Sequence, residues 1–449
     1  MFYAMIVVFV LGYACIALEH PLNINKTATA LLLGTLMWVL LIFGDPSTMA
    51  ISSVFQDYMA QNPDSSFAAW LTHGPLLEHL GEVSEILFFL LGAMTIVEIV
   101  DTHGGFKIIT NRIVTTKKVS LLWIIGLLTF FMSAALDNLT TAIVMIALLR
   151  KLIGDKTDRW MFAGIVILAA NAGGAWSPIG DVTTIMLWIG GKISAGNIIL
   201  KTFFPSLVSL VVPLAILSFT MKGNIQKADK IVTTHTKVEI TEKERNLIFF
   251  VGVGALLFVP IFKTITHLPP YLGMLGGLGV LWIITELMNK RDVNNARHHL
   301  AVSSILQRID TPSILFFLGI LMAVAALQVC GQLTALSQSL DAIPMEEPGK
   351  YYLITTIIGI LSSIVDNVPL VAGAMGMYNF ELDHYFWEFL AYAAGTGGSI
   401  LIIGSAAGVA VMGMEKIDFI WYVKRISLLA LIGYLAGCGV FILQQTLFH

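Results

Sequence analysis

The sequence predicts an all-α polytopic membrane protein with two inverted repeats, each of five transmembrane helices (one broken) plus one re-entrant hairpin. Three observations predict this fold: long stretches nearly free of charge, basic residues concentrated in alternate loops, and two apolar runs that each contain an Asp–Asn pair. The 449 residues are 57% hydrophobic and 12% charged, with a mean hydropathy of +0.83. Soluble domains contain about 25% charged residues. We therefore expect the lipid bilayer to surround most of the chain.

The composition also argues against several classes of function. A formal net charge of −3 gives no electrostatic basis for binding nucleic acid. Cys15, Cys330 and Cys438 stand singly in apolar segments, which predicts neither a metal-binding pattern nor a disulfide framework. No cofactor is expected. The apolar N-terminal stretch has no basic segment before it, so we expect a transmembrane helix there rather than a signal peptide.

Apolar stretches divide the chain into two repeats, residues 1–221 and 246–449, joined by a hydrophilic cytoplasmic linker at 222–245. Each repeat contains five candidate spans, and glycines interrupt the fourth. Each repeat also contains one longer apolar run, which we assign as a hairpin at 119–153 and at 351–380. The spans are 2–18, 28–44, 83–100, 160–190 (broken) and 203–221 in the first repeat, and 246–263, 271–288, 314–330, 388–413 (broken) and 418–445 in the second.

The distribution of Lys and Arg predicts the orientation in the membrane. The 45–82 loop contains five acidic residues and no Lys or Arg, so we place it outside. The linker and all but four of the 26 basic residues then fall on the cytoplasmic side. By the positive-inside rule, both termini are predicted to lie outside. The four exceptions are Lys192, Lys201, Lys263 and Lys350.

The length of the two longer runs predicts that they turn back inside the membrane. A straight helix over 119–149 would be about 46 Å long, against roughly 30 Å of hydrocarbon. Basic residues flank this run at both ends, so it enters and returns on the same side, with Asp137–Asn138 at the turn. The run at 351–380 is predicted to enter from the opposite side, with Asp366–Asn367 at its turn.

The two halves also match in sequence. SAALDNLTTAIVM (133–145) parallels SSIVDNVPLVAGA (362–374), and NAGGAWSPIGDVTT (171–184) parallels GTGGSILIIGSAAG (395–408). Five spans plus one hairpin per half give the halves opposite orientations. Inverted repeats with broken helices are typical of secondary transporters, which bind substrate near the midplane at the repeat interface.

The side chains at these turns and breaks are oxygen ligands that suit a small hard cation such as Na⁺. An anionic substrate would meet up to three carboxylates, which argues against it. In the second half Ser405 stands where the first has Asp181, so we expect the tighter cation site in the first half. The residues are Asp137, Asp366 and Asp181, with Asn171, Thr183 and Thr184 beside the first break.

We expect the cation and the proton to compete for the same carboxylates. Removal from water favours the protonated form of a carboxyl group, whereas a bound cation favours the ionised form. One carboxylate can therefore hold either a proton or Na⁺, which allows exchange without a separate proton path. The hypothesis places Na⁺ at Asp137, Asn138 and Asp181, with activity that rises with pH.

Each candidate residue also has a purely structural interpretation. Asp137 and Asp366 can act as N-caps of the returning half-helices. The neighbouring asparagines can satisfy backbone groups at the turns, and threonine in membrane helices often bonds to its own preceding turn. The functional interpretation is weaker for Ser362, Thr396 and Ser399, and the last two rest on a gapped alignment.

FMSAALDNLTTAIVM (131–145), NAGGAWSPIGDVTT (171–184) and SSIVDNVPLVAGAM (362–375) resemble the NhaD-type sodium/proton antiporter family. That family lies within the ion transporter superfamily, with arsenite and dicarboxylate transporters, and the resemblance covers essentially the whole chain. It implies a bacterial-type inner-membrane or plastid-envelope protein that exports Na⁺ or Li⁺ in exchange for H⁺. It also implies a homodimer with a scaffold and an elevator-type transport domain.

The resemblance further implies that polar residues in both halves bind the cation or the proton. No residue is assigned a catalytic role. Carried over by position, these residues are Asp137, Asn138, Asn171, Asp181, Thr183 and Thr184 in the first half, and Ser362, Asp366, Asn367, Thr396 and Ser399 in the second.

Two alternatives remain at this stage. One is a proton- or sodium-coupled permease for a metalloid or an organic anion on the same fold. The other is an intramembrane aspartyl protease that uses Asp137 and Asp181, although this leaves Asp366 and the duplicated hairpin without a role. We expect an ion antiporter and not an enzyme.

Overall fold

The structure is a computed structural model that describes residues 2–22, 24–44, 52–110, 113, 115–226, 240–289 and 300–448. Regular structure in these ranges is helical, apart from an isolated bridge between Lys117 and Asn224. Seven spans in the described ranges are long and apolar enough to cross a membrane, and five shorter apolar helices accompany them. The prediction of an all-α polytopic membrane protein is confirmed. Of the predicted linker, 227–239 lies outside the described residues.

The first half of the chain forms twelve of the described helices. The predicted broken span at 160–190 corresponds to α10 and α11, and the predicted hairpin at 119–153 to α8 and α9. The helices are α1 (Phe2–Ala17), α2 (Glu19–Leu22), α3 (Lys26–Ile42), α4 (Ser52–Gln61), α5 (Phe67–His73), α6 (Pro75–Thr102), α7 (Lys107–Thr110), α8 (Lys118–Leu136), α9 (Asn138–Leu152), α10 (Lys156–Gly174), α11 (Val182–Ile189) and α12 (Ala195–Thr220).

The second half begins at Glu242, where Thr241 and Glu244 form a capping box that starts the helix within the predicted linker. The predicted hairpin at 351–380 corresponds to α18 and α19, and the broken span at 388–413 to α20 and α21. The helices are α13 (Glu242–Thr266), α14 (Pro270–Asn289), α15 (Val302–Leu306), α16 (Thr311–Cys330), α17 (Gln332–Asp341), α18 (Gly349–Leu361), α19 (Asn367–Met377), α20 (Tyr385–Gly397), α21 (Ala406–Glu415), α22 (Phe419–Tyr422), a π-helical turn (Val423–Ser427) and α23 (Leu428–Phe448).

One compact unit contains residues 1–88, 310–354 and 368–381. Its centre is the extensively packed pair α3 and α16. A Cβ at Gly34 would lie 2.6 Å from the carbonyl oxygen of Gly319, and the Trp38 indole nitrogen donates to the Met322 carbonyl at 2.9 Å. The absence of side chains at these glycines therefore lets the two helices approach closely, as at many membrane helix crossings.

The other compact unit contains residues 89–309, 355–367 and 382–449. Helix α10 packs against α8, α9, α20 and α21 in its interior, and α12 pairs with α23. Each candidate site residue named from the sequence belongs to this unit. The site can therefore be described within one compact body.

The two ends of the first hairpin lie beside the same short segment, residues 223–226. The backbone of Lys118 and Thr116, at the start of α8, bonds to Gly223 and Ile225, and the Gly154 amide, after the end of α9, donates to the Gln226 carbonyl. Both ends of the hairpin therefore lie beside one short segment. Asp137, the residue between α8 and α9, lies at the opposite end of both helices.

The second hairpin also brings its ends together. Near the start of α18, the ring of Tyr351 lies 5.7 Å from that of Tyr378 and 5.1 Å from that of Phe380, both just beyond α19. Its tip contains more residues than the first, because α18 ends at Leu361 and α19 starts only at Asn367. The inverted orientation of the two halves stays a prediction.

Matching contacts fasten each hairpin to a broken helix. The Ser133 hydroxyl donates to the Ala170 carbonyl at 2.6 Å, and the Ser362 hydroxyl donates to the Ala394 carbonyl at 2.7 Å. These four residues occupy equivalent positions in the sequence alignment of the halves. The same local packing therefore occurs twice in the chain.

Glycines allow close backbone contact at equivalent positions. A Cβ added to Gly173 would collide with the carbonyl of Phe130, and one added to Gly397 would collide with the carbonyl of Gly359. Neither neighbour is the flexible end of a side chain, so the helices would have to move apart. Each hairpin therefore lies against its broken helix just before the break.

We expect Gly397→Ala to destabilise the protein, because overpacking a close contact costs about 1–3 kcal/mol. Gly413→Ala is the matched control, since its added Cβ meets no atom within 4 Å and it lies in the neighbouring helix α21. That control should gain up to about 1 kcal/mol. Thermal melting of the purified protein in detergent measures both, and a Gly397→Ala melting temperature equal to the control's would contradict the close contact.

Candidate functional site

Asp181 lies at the centre of the candidate site, 1% exposed, at the N-cap of α11. Its Oδ1 accepts from the Thr183 amide at 2.9 Å and from the Thr183 hydroxyl at 2.8 Å. The Thr184 hydroxyl donates to the Asp181 carbonyl at 2.8 Å. The first break therefore presents a buried carboxylate at a helix N-terminus, where the helix dipole favours negative charge.

The asparagines of both hairpin tips donate to this carboxylate. Asn138 Nδ2 lies 2.6 Å from Asp181 Oδ2, and Asn367 Nδ2 lies 3.3 and 3.4 Å from the two carboxylate oxygens. Both asparagine side chains are buried. The two Asp–Asn pairs, which are far apart in sequence, thus meet at one aspartate through their amides.

Asn171 connects this aspartate to the second break. Its Oδ1 accepts from Asn138 Nδ2 at 3.1 Å, and its Nδ2 donates to the hydroxyls of Ser399 at 3.0 Å and Ser405 at 2.9 Å. The Asn171 side chain is fully buried. One hydrogen-bonded network therefore joins both hairpin tips and both helix breaks.

The carboxylate of Asp137 bonds within its own hairpin. It caps α9, with Oδ1 accepting from the Thr140 amide and Oδ2 from the Thr140 hydroxyl, both at 2.8 Å. Its backbone has φ 78° and ψ 161°, a region that non-glycine residues occupy at a cost of about 1–3 kcal/mol. Asp137 thus acts as an N-cap of α9, as one interpretation expects. Its strained backbone also forms the turn after which Asn138 joins the network.

The other candidates lie around the network. Ser362 bonds to the Ala394 carbonyl, and the Thr396 hydroxyl donates to the Tyr392 carbonyl of its own helix at 2.6 Å. Asp366 is half-buried at the second tip, one residue before Asn367. The network joins Asn138, Asn171, Asp181, Thr183, Thr184, Asn367 and Ser399 of the predicted set.

Sequence reasoning missed Ser405 as a site residue. Ser405 caps α21 with φ −141° and ψ 153°, close to the φ −147° and ψ 149° of Asp181 at the start of α11. It also accepts from Asn171, as described above. The repeat alignment, which pairs Ser405 with Asp181, is the signal that identifies it.

The chemistry of the network suits a cation and a proton. It consists of a carboxylate, side-chain amides and hydroxyls, and no Lys, Arg or His of the described ranges hydrogen-bonds to these side chains. Carboxylate, amide and hydroxyl oxygens are hard ligands for small cations. An organic anion would instead require positive charge or unpaired donors here.

Residues 13–397 match a family model described as a citrate transporter. The chain is 48% identical to Sodium/proton antiporter 1 of Arabidopsis thaliana, over 99% of this chain and 73% of the relative. It is 30% identical to the Na⁺/H⁺ antiporter NhaD of Alkalimonas amylolytica, over 99% and 91% of the two chains. The chain belongs to the NhaD-type sodium/proton antiporter family. The family predicted from the three sequence segments is thus confirmed.

Membership in the NhaD-type family also decides between the classes of function. The relatives of this chain are named as transporters, and the family model is described as one. The chain is therefore an integral membrane transporter and not an enzyme. The aspartyl-protease interpretation of Asp137 and Asp181 is set aside.

The two roles of Asp137, cap and charge, can be separated by substitution. Asp137→Ala should lower stability by about 1 kcal/mol, because it removes an N-cap. Asp137→Asn should remain close to the wild type, since an asparagine oxygen caps a helix equally well. Thermal melting in detergent compares the two variants, and equal loss in both would mean that the charge, rather than the cap, stabilises the turn.

Proposed function

We propose that the chain exchanges Na⁺ for H⁺ across a membrane at the network around Asp181. The observation that carries this proposal is a buried carboxylate held by asparagine amides from both hairpin tips, with no basic hydrogen-bond partner among the described residues. The sodium/proton names of the relatives support it. Li⁺ is an expected second substrate because it is also a small hard cation.

In the proposed mechanism the asparagines change the group that they present to Asp181. In the structure the amide nitrogens of Asn138 and Asn367 donate to the carboxylate. Rotation of a side-chain amide by half a turn exchanges its nitrogen for its oxygen. A cation beside Asp181 would therefore meet carboxylate and amide oxygens together, while without a cation the donors compensate the carboxylate.

Proton and cation compete because they use the same oxygens of Asp181. A protonated carboxyl has lost the negative charge that attracts Na⁺, and a bound Na⁺ opposes protonation. Each transfer of Na⁺ in one direction is then linked to transfer of a proton in the other. Asp137 and Asp366, at the two tips, add negative charge near the network, and we propose that they share in binding the cation or the proton.

Several finer features stay proposals. Both termini are proposed to lie outside, in a bacterial-type inner membrane or a plastid envelope. The transporter is proposed to act as a homodimer without a cofactor and to expose the site alternately by an elevator motion of the hairpins and broken helices. Hairpins that return to their own starting points, as at α8 and α9, are compatible with such a moving body.

The description of the matched family model supports a second candidate, a permease for an organic anion such as citrate. The anionic network disfavours it unless a bound cation first neutralises Asp181. A metalloid hydroxide, which is neutral, would meet less electrostatic resistance. Both candidates predict uptake of a substrate other than Na⁺, which the next experiment distinguishes.

We expect NaCl and LiCl to dequench a pH-sensitive dye in everted vesicles that contain the protein, between about pH 6.5 and 9.5. KCl added in the same way measures whether the site prefers the smaller cations. Asp181→Asn and Asp137→Asn should abolish the response, because each loses a carboxylate charge. Glu286→Gln is the control, since Glu286 is exposed on α14. No response to any cation in vesicles shown to contain the wild type would favour the permease.

Competition between Na⁺ and H⁺ for Asp181 also predicts how the half-saturating Na⁺ concentration changes with pH. Where the site is mostly protonated, each unit of falling pH should raise the half-saturating Na⁺ concentration about tenfold, because one proton must leave for one Na⁺ to bind. At higher pH this concentration should become constant. Titration of the dye response with NaCl at a series of pH values measures it, and a pH effect on the maximum rate alone would contradict competition.

A further inference from the structure

A second buried carboxylate lies outside the candidate site. Glu415 is the last residue of α21, and its side chain is 1% exposed. Its Oε1 accepts from Arg150 Nε at 2.6 Å, and its Oε2 accepts from Arg159 Nε at 2.7 Å. We call these three residues the clamp. Both carboxylate oxygens are thus used by guanidinium groups from two different helices.

The backbone at the end of α21 is held by the same two helices. A second nitrogen of Arg150 donates to the Met414 carbonyl. The indole nitrogen of Trp160, next to Arg159 on α10, donates to the Glu415 carbonyl at 3.0 Å. The end of α21 is therefore fixed by its side chain and by its main chain.

The three helices joined by the clamp are also three of the helices that carry the network. Helix α9 carries Asn138 and Arg150, α10 carries Arg159 and Asn171, and α21 carries Glu415 and is capped by Ser405. At 1.5 Å per residue, the two residues of each pair are about 15–18 Å apart. Each helix thus has a network residue towards one end and a clamp residue towards the other.

This arrangement can control how far the helices slide along one another. Apolar helix contacts in a membrane are not directional, whereas a carboxylate between two guanidinium groups has a defined geometry. A helix is stiff along its axis, so a shift at the clamp end would appear at the network end. Asn138, Asn171 and Ser405 would then lose their present spacing.

We propose that Glu415 is a positioning residue for the cation site: by holding α9, α10 and α21 in axial register, the clamp sets the affinity of the network for Na⁺ without contacting the ion. This inference rests on the proposed function. It adds Glu415 to the residues that act on the site, and it gives Arg150 and Arg159 a role beyond membrane orientation.

Glu415→Gln tests the clamp, because it keeps the size of the side chain and removes the charge that both arginines share. We expect the half-saturating Na⁺ concentration to rise about tenfold, which corresponds to about 1.4 kcal/mol, with the maximum rate nearly unchanged. Dye dequenching at a series of NaCl concentrations measures exchange, and stabilisation of the purified protein by NaCl against heat measures binding. Glu242→Gln is the matched control, since it removes an exposed carboxylate from a surface ion pair with Arg245.

Exchanging the charges of Arg159 and Glu415 tests whether the lost Na⁺ affinity can be restored. The double variant Arg159→Glu/Glu415→Arg keeps two guanidinium groups and one carboxylate, and it should recover part of the lost affinity. If Glu415→Gln yields no folded protein, Arg150→Lys carries the same test, because lysine keeps the charge but lacks the planar fork. It should raise the half-saturating Na⁺ concentration in the same direction by a smaller factor.

The outcomes separate the two proposals. A wild type that neither exchanges Na⁺ nor is stabilised by it refutes the proposed function, and the clamp inference with it. A wild type that does both, with clamp variants whose half-saturating Na⁺ concentration is unchanged, refutes the clamp inference alone. Loss of maximum rate without a change in that concentration also refutes it, because the clamp would then serve turnover or folding and not affinity.

Discussion

Burial of the Asp181 carboxylate is the constraint on which the rest of the site depends. An ionised group removed from water is tolerated only when donors, a cation or a proton compensate its charge. Here the donors come from Thr183 on its own helix and from Asn138 and Asn367 at the two hairpin tips. Each donor is a weak partner that a cation can replace, in contrast to an arginine. The same burial that makes Asp181 costly therefore makes it suitable for exchange.

The backbone architecture follows from the need to bring these donors together. The tip asparagines reach Asp181 because each hairpin reverses beside a break in a neighbouring helix, and the reversal requires close packing there. Ser133 and Ser362 donate equivalent hydrogen bonds to the broken helices. Gly173 and Gly397 have no side chain at equivalent positions, which allows the backbones to approach closely. Polar and glycine residues in these apolar segments thus position the backbone that carries the network.

Charge, length and repetition lead from the sequence to the expected hairpins, helix breaks and candidate residues, because all three can be read along the chain. The sequence does not reveal which partner a polar group chooses. The sequence predicts that Asp137 contributes to a cation site, and it does not reveal that the Asp137 oxygens also cap α9 through Thr140. Likewise Arg150 and Glu415 are separated by more than half the chain, and their pairing depends on tertiary packing of helices that no local pattern encodes.

The two halves also differ in charge at the equivalent positions Asp181 and Ser405. The Asn171 side chain presents a different group to each half. Its amide oxygen faces Asn138, which bonds to the anionic cap of α11, and its amide nitrogen faces the hydroxyl of Ser405, the neutral cap of α21. A hydroxyl supplies an oxygen ligand without a formal charge, so it cannot compensate the charge of a cation as Asp181 can. If the site binds Na⁺, this asymmetry favours the ion on the side of the first half, within reach of one deprotonated carboxylate. One repeat would then supply the charge that selects between cation and proton, and the other would supply neutral ligands that complete the shell.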